Sequence, residues 1–377
     1  MNAPAAPTSP MKTLVLSVLT ASGALAQPPG LPALPTDNPL RTELDRQIDS
    51  VVTAFMHHTR TVGVSIGVLH GDSTFFFNYG ETRNGNATLP DRNTLYEIGA
   101  ISKTFTATLL AEAARRGHID LNAPVNSFLP DSIPLLRKNG LPVTLKHLAN
   151  HTSGLPRLPP NLAEDSPLAP LNPYKHYDRR RLFAYLMNAD LSREPGEAVA
   201  YSNLGVGLLG TLLENGLNRS YETLLKERIA GPLGMVNTTL APTEEQSRRL
   251  AQGHTGGGSL ASPWDFAAMA GAGGIRSTPS DLLRYLGAQL GNGPRTLVRA
   301  MELTREKTAM QADRAVGLGW FWKTRVSHPW CWHTGTTGGF SAFAAFNVRL
   351  KTAVVLLTNS QTSADPLSAA LLEVLTP

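Results

Sequence analysis

Leu40, Leu44, Ile48, Val52 and Phe55 recur at helical spacing, which predicts an amphipathic helix over residues 38–58. The period then drops to two. Val62, Val64, Ile66 and Val68 alternate with Gly63, Ser65, Gly67 and Leu69; after a turn at Gly71-Asp72-Ser73, Phe75, Phe77 and Tyr79 alternate again. That pattern is a hairpin. Residues 100–116 return to helical period, with Ile101, Phe105 and Leu109 on one face and Gly117 as a stop. Between about 120 and 270 helical segments are divided by Pro and Gly, and six prolines within residues 154–173 predict a loop. Thr278-Pro279-Ser280-Asp281 has the form of a capping box with proline at the first helical position. Strand patterns reappear at 330–334, 341–348 and 352–358, and a last helix carries Leu367, Leu371 and Val374.

Isolated hairpins are marginal in water. The economical arrangement joins the first and last hairpins in one antiparallel sheet covered by the terminal helices. This predicts an α+β fold with a discontinuous sheet domain, residues 38–119 and 271–377, and an inserted mainly helical domain over 120–270.

Composition narrows the classes. Of 377 residues, 42% are hydrophobic and 17% charged, which excludes wholesale disorder and a coiled coil. The formal charge is only +5, and the basic runs Arg179-Arg180-Arg181 and Arg248-Arg249 are too short for a nucleic-acid stripe. The single cysteine, Cys331, permits neither an intrachain disulfide nor a cysteine metal site, and its apolar run predicts a buried thiol. At the N-terminus, Met11-Lys12, an apolar stretch over 13–26 and Ala24-Leu25-Ala26 read as a signal peptide within residues 1–26. The stretch is shorter than the about 20 residues a bilayer span needs. Gln27 in place of cysteine excludes a lipoprotein anchor. The expectation is an exported chain, periplasmic or secreted and not membrane-spanning, cleaved near Ala26 and beginning with a Pro-rich linker over 27–37.

Three short runs carry candidate chemistry, and each has an ordinary structural explanation. Lys103, three residues after Ala100 at the start of a mostly apolar helix, could be a lysine whose stem lies on the surface. In Tyr201-Ser202-Asn203, Ser202 or Asn203 could cap a helix, with Tyr201 as a hydrophobic staple. His333-Thr334-Gly335-Thr336 could be a strand running into a Gly-rich turn.

Together and in this order, the three runs resemble the S-x-x-K, Y-x-N and K/H-T-G motifs of the penicillin-recognising serine hydrolases. The runs Leu95-Tyr96-Glu97-Ile98-Gly99, His147-Leu148-Ala149-Asn150-His151-Thr152-Ser153-Gly154-Leu155-Pro156, Gly231-Pro232-Leu233-Gly234-Met235 and Gly317-Leu318-Gly319-Trp320 resemble the class C β-lactamase group. The likeness covers residues 40–375. Tyr79-Gly80-Glu81-Thr82-Arg83 and residues 201–239 are most similar to the D-alanyl-D-alanine carboxypeptidase/endopeptidases. The resemblance implies a β-lactamase/transpeptidase-like fold and acyl transfer on a β-lactam or a D-Ala-D-Ala-type peptide from peptidoglycan, without metal or organic cofactor. It implies Lys103 and Tyr201 as acid/base groups, Asn203 as the holder of the substrate amide, and His333, Gly335 and Thr336 on a recognition strand. The N–H groups of residues 100 and 336 would form an oxyanion hole.

One position departs from the pattern: the nucleophile's place holds Ala100. A methyl group cannot attack a carbonyl. Ser102 is no substitute, because two helical residues turn it about 200° away. The alanine marks a non-catalytic homologue, a replacement that traps substrate, or an error in the sequence. A binding protein and a carboxylesterase on the same fold are therefore the alternatives. Gly205-Val206-Gly207-Leu208-Leu209-Gly210 lacks the preceding strand of a dinucleotide site, and His147 and His151 lack the Glu of a zinc-protease helix. Close helix packing and loop structure explain them better.

Overall fold

The computed structural model describes residues 33–163, 171–323 and 327–377. The expected leader, most of the Pro-rich linker and the middle of the Pro-rich loop lie outside these. Helix α1 (Glu43–His58) is followed by strands β1 (Gly63–His70) and β2 (Ser73–Gly80), then by helix α2 (Ser102–Arg115). Helices α3 (Asn203–Leu217), α4 (Pro279–Gln289) and α5 (Arg295–Thr304) lead to short strands β3 (Ala309–Gln311), β4 (Arg314–Val316) and β5 (Phe321–Lys323). Strands β6 (Cys331–Thr336), β7 (Ser341–Asn347) and β8 (Thr352–Thr358) and helix α6 (Asp365–Val374) close the chain. Among the described residues the eight strands form one antiparallel sheet in the order β2-β1-β8-β7-β6-β5-β4-β3. The first and last hairpins meet where β1 pairs with β8, Ile66 opposite Leu356.

Antiparallel sheets often leave one face to water, but the centre of this one is covered on both. Val64, Ile66, Val68, Val354 and Leu356 pack with Ile48 and Val52 of α1 and Leu367 and Leu371 of α6. Ala353, Val355 and Leu357 belong to the opposite core with α2 and α4. The small residues of β1 fall on this second face. A Cβ at Gly67 would come within 2.9 Å of Leu283, and Ser65 shares a hydrogen bond with the Tyr96 hydroxyl at 2.8 Å. Small side chains thus let α4 approach.

Helix α1 begins at Glu43, not at residue 38. Thr42 and Asp45 form a reciprocal capping box, while Asn38 donates to Asp45 O and to the Tyr79 hydroxyl and so ties the preceding segment to β2. Half of the expected Thr278 capping box is present: its hydroxyl accepts from Asp281 N with Pro279 in the first turn, but the Asp281 carboxylate accepts from Asn237 N and the Thr238 hydroxyl instead of closing the box. Cys331 is fully buried. Strands β3, β4 and β5 have no counterpart in the sequence pattern. Three residues each, with several side chains in water, are too few to show an alternation. No helix of the described residues is long and apolar enough to cross a membrane.

Candidate active site

Helix α2 is entered through a 3-10 turn, Gly99–Ile101, that lies against the end of β6. Two glycines permit the contact. Gly99 has φ +49°, and a Cβ there would sit 2.7 Å from Thr336 N. A Cβ at Gly335 would sit 2.0 Å from Ile98 O and 3.0 Å from Ala100 N. The backbones of residues 98–100 and 335–336 are therefore in contact, and Ala100 and Thr336 are neighbours. Ala100 is partly open to solvent, whereas residues 101–113 are buried throughout.

Lys103 is 0% exposed, which excludes a surface lysine. Its Nζ donates to Ala272 O at 2.6 Å and lies 5.0 Å from the centre of the Tyr201 ring. Burial, helped by the Arg157 charge, holds the ammonium pKa well below its ordinary value. Ser102 turns the other way, fully buried, its hydroxyl accepting from Ile275 N at 3.1 Å. It is a structural residue and not a displaced nucleophile.

Tyr201 and Asn203 come from the entry to α3. Ser202 is the cap, accepting from Gly205 N at 2.8 Å and donating to Pro156 O at 2.6 Å. Tyr201 packs on the cluster of Val199, Val316 and Phe321. The His151 ring lies 4.5 Å from it, centre to centre, and His333 lies 6.3 Å away. Burial raises the Tyr201 phenol pKa, with Arg157 opposing. Asn203 donates to the Tyr174 hydroxyl at 3.3 Å.

His333 is buried on β6. Its Nδ1 donates to Thr334 O at 2.5 Å, and Nε2 has no partner among the described residues. Burial first, then the Lys103 charge, push its pKa down to about 3, so it is a neutral ring. Lys103, Tyr201 and His333 thus come together, with Asn203 at the same helix entry and Gly335 and Thr336 against the Ala100 turn.

Two neighbours carry no role in the sequence reading. His151 has φ +63° and is buried; its Nδ1 accepts from Ser202 N at 3.2 Å, and its ring forms a mutual cluster with those of Tyr201 and Phe321. Its partner His147 instead closes a capping box with Thr144, so the two histidines form no pair. Arg157 places its guanidinium 5.0 Å from the Tyr201 ring centre. The only sequence signal for either is its place in the run from His147 to Pro156 and the residue after it. The glycines at 207 and 210 face Met269 and Gly271, so that run is helix packing. Among the described residues no group of His, Cys, Asp or Glu gathers as a metal site.

The beta-lactamase family matches residues 48–376. The chain is 32% identical over 317 residues to the D-alanyl-D-alanine-carboxypeptidase/endopeptidase AmpH of Escherichia coli K12, covering 79% of each chain. It is 27% identical to a beta-lactamase of Pseudomonas fluorescens, covering 84% of this chain and 94% of the relative. A solved class C beta-lactamase superposes with TM-score 0.78 at 26% identity, covering 88% of this chain and 97% of the other. The fold is therefore β-lactamase/transpeptidase-like, and the chain belongs to the beta-lactamase family of serine hydrolases.

Proposed function

We propose that the cleft beside Ala100 is an acyl-transfer site for a β-lactam or a D-Ala-D-Ala-type peptide, complete except for the nucleophile's oxygen. The observation that carries this reading is the buried Lys103 amine, one helical turn after Ala100, beside the Tyr201 ring. Burial disfavours charge on both groups, so neutral amine with neutral phenol is the preferred pair. With a serine at 100, its O–H would attack the carbonyl carbon while its proton passes to the Lys103 lone pair. Tyr201 would donate a proton to the departing nitrogen and recover it from Lys103. Asn203 would hold the ligand's amide. The N–H groups of residues 100 and 336 would receive the carbonyl oxygen, a geometry supported by the close Gly99–Thr336 approach. Export, with cleavage near Ala26, belongs to the same reading, and the mass of the mature N-terminal peptide checks it.

As it stands the chain should hold ligand without forming an acyl-enzyme. Ala100→Ser adds one hydroxyl where the backbone is already set. A fluorescent penicillin should then label the peptide carrying residue 100, seen as a mass gain of one ligand, while the unaltered chain stays unlabelled. Labelling of Ser102 in the unaltered chain would contradict the site. Failure of a folded Ala100→Ser chain to label would favour the second reading, a non-catalytic binding protein, for which Ala100 itself speaks. An ester substrate remains compatible with the neutral His333 and would show as ester turnover by Ala100→Ser without penicillin labelling.

A further inference from the structure

Arg157 lies beside the Tyr201 ring and has no role in the chemistry just described. Its side chain is exposed, but its backbone is fixed. The Arg157 carbonyl accepts from Asn203 N at 2.9 Å and Leu204 N at 3.2 Å, so it satisfies the first turn of the helix that carries Asn203. The adjacent Pro156 carbonyl accepts from Ser202. The guanidinium leans on the Tyr201 ring and has no carboxylate partner among the described residues.

The charge balance gives this arginine its meaning. The recognition strand offers no lysine: position 333 holds a neutral histidine. Lys103 is buried and favours its neutral amine. Arginine stays charged at any working pH. Glu97 is buried and Asp265 approaches Arg276 at 3.5 Å, so neither answers Arg157. Among the described residues, this fixed positive charge thus lies beside Tyr201 and Tyr174, at the entry to Asn203. After burial, which is the larger cause in each case, the Arg157 charge acts on Lys103, Tyr201, His151 and Tyr174, and not on His333.

We propose that Arg157 is a specificity residue that binds a carboxylate carried on the acyl side chain of the ligand, the side held by Asn203. This rests on the acyl-transfer reading of the cleft. The planar guanidinium, seated on an aromatic face and anchored through its backbone, suits bidentate pairing with a carboxylate. The ligand class is an acyl-D-Ala-D-Ala-type peptide or penicillin with an anionic acyl group.

Benzylpenicillin and carbenicillin differ by one carboxylate on the acyl side chain and share the ring carboxylate. Their dissociation constants can be measured by calorimetry on the chain with Ala100, where no covalent step intervenes. Carbenicillin should bind tighter by roughly three- to tenfold, the range of a partly exposed charge-assisted pair. Arg157→Gln should bring the ratio to about one, Arg157→Glu should invert it, and salt should shrink it, as expected for an exposed pair. An unchanged ratio in Arg157→Gln overturns the proposal, including the case where both ligands weaken equally and the arginine reads the shared ring carboxylate. Binding of neither penicillin overturns the reading of the cleft, and this proposal with it.

Discussion

On one side of Ala100 the cleft is backbone against backbone, and on the other it is ring against ring. The turn at residues 98–100 meets β6 through Gly99 and Gly335, with no side chain between them. Across the gap His151, Tyr201, Phe321 and His333 lean on one another at centroid separations of 4.5 to 6.3 Å. The first wall positions main-chain N–H groups, which no substitution short of proline removes but an added atom can displace. The second positions a phenol, an imidazole and, through the α3 entry, an amide, which substitution can remove while the wall stands. Geometry is kept in one wall and titratable chemistry in the other.

The largest effect should come from adding an atom to the first wall. At Gly335→Ala the new methyl would lie 2.0 Å from Ile98 O, a backbone atom that cannot swing away. We expect a loss of roughly 4 kcal/mol or more, the range of severe overpacking and strain. A thermal melt measures it. A Tm within a few degrees of the parent would mean that the two backbones are not in contact and that the oxyanion geometry has no support.

That contrast also explains what was legible in the sequence. The Val/Gly alternation of β1 and the apolar runs of β7 and β8 announce a sheet, since each strand is long enough to show its period. Strands β3, β4 and β5 are too short to do so, yet Phe321 on β5 backs both Tyr201 and His333. Lys103, Tyr201 and His333 are legible through motif order rather than spacing, because nothing local brings residue 201 to residue 103. Along the chain, His151 has only His147, four residues away, as a partner for chemistry. Its actual neighbours, Tyr201 and Phe321, come from distant segments. Arg157, after a proline in a Pro-rich loop, reads as a solvated charge until the helix it caps is seen.

The second wall should instead be broken by protons. His333 has an ordinary pKa of 6.5 and about 3 in the fold, facing Lys103 and the Thr334 carbonyl with His151 nearby. A base with a depressed folded pKa binds fewer protons folded than unfolded, so stability rises with pH across this interval. It is fully present above pH 6.5 and is lost as pH falls toward 3. From His333 alone the loss by pH 4 is about 3 kcal/mol. The fall in Tm should begin near pH 6, above the carboxylate range, and His333→Asn should make it shallower. A flat Tm between pH 7 and 5 would place His333 in water.

The smallest structural effect, and the sharpest separation of chemistry from architecture, is expected at Tyr201. Its ring is held by His151, Phe321 and the cluster behind them, but its hydroxyl makes no hydrogen bond among the described residues. Tyr201→Phe keeps every ring contact and removes one oxygen that no protein group uses, so stability should change by less than about 0.5 kcal/mol. In the Ala100→Ser background the same change removes the proton donor for the departing nitrogen, and acylation by penicillin should slow by roughly 10²–10⁴. Non-covalent affinity in the Ala100 chain should move far less, because Asn203 and the backbone donors are untouched. Measured together, melt, labelling rate and dissociation constant give a pattern that a structural tyrosine cannot produce. A large drop in Tm with a proportionate loss of binding would make the hydroxyl part of the wall. An unchanged acylation rate would leave the buried amine of Lys103 to carry the proton both ways.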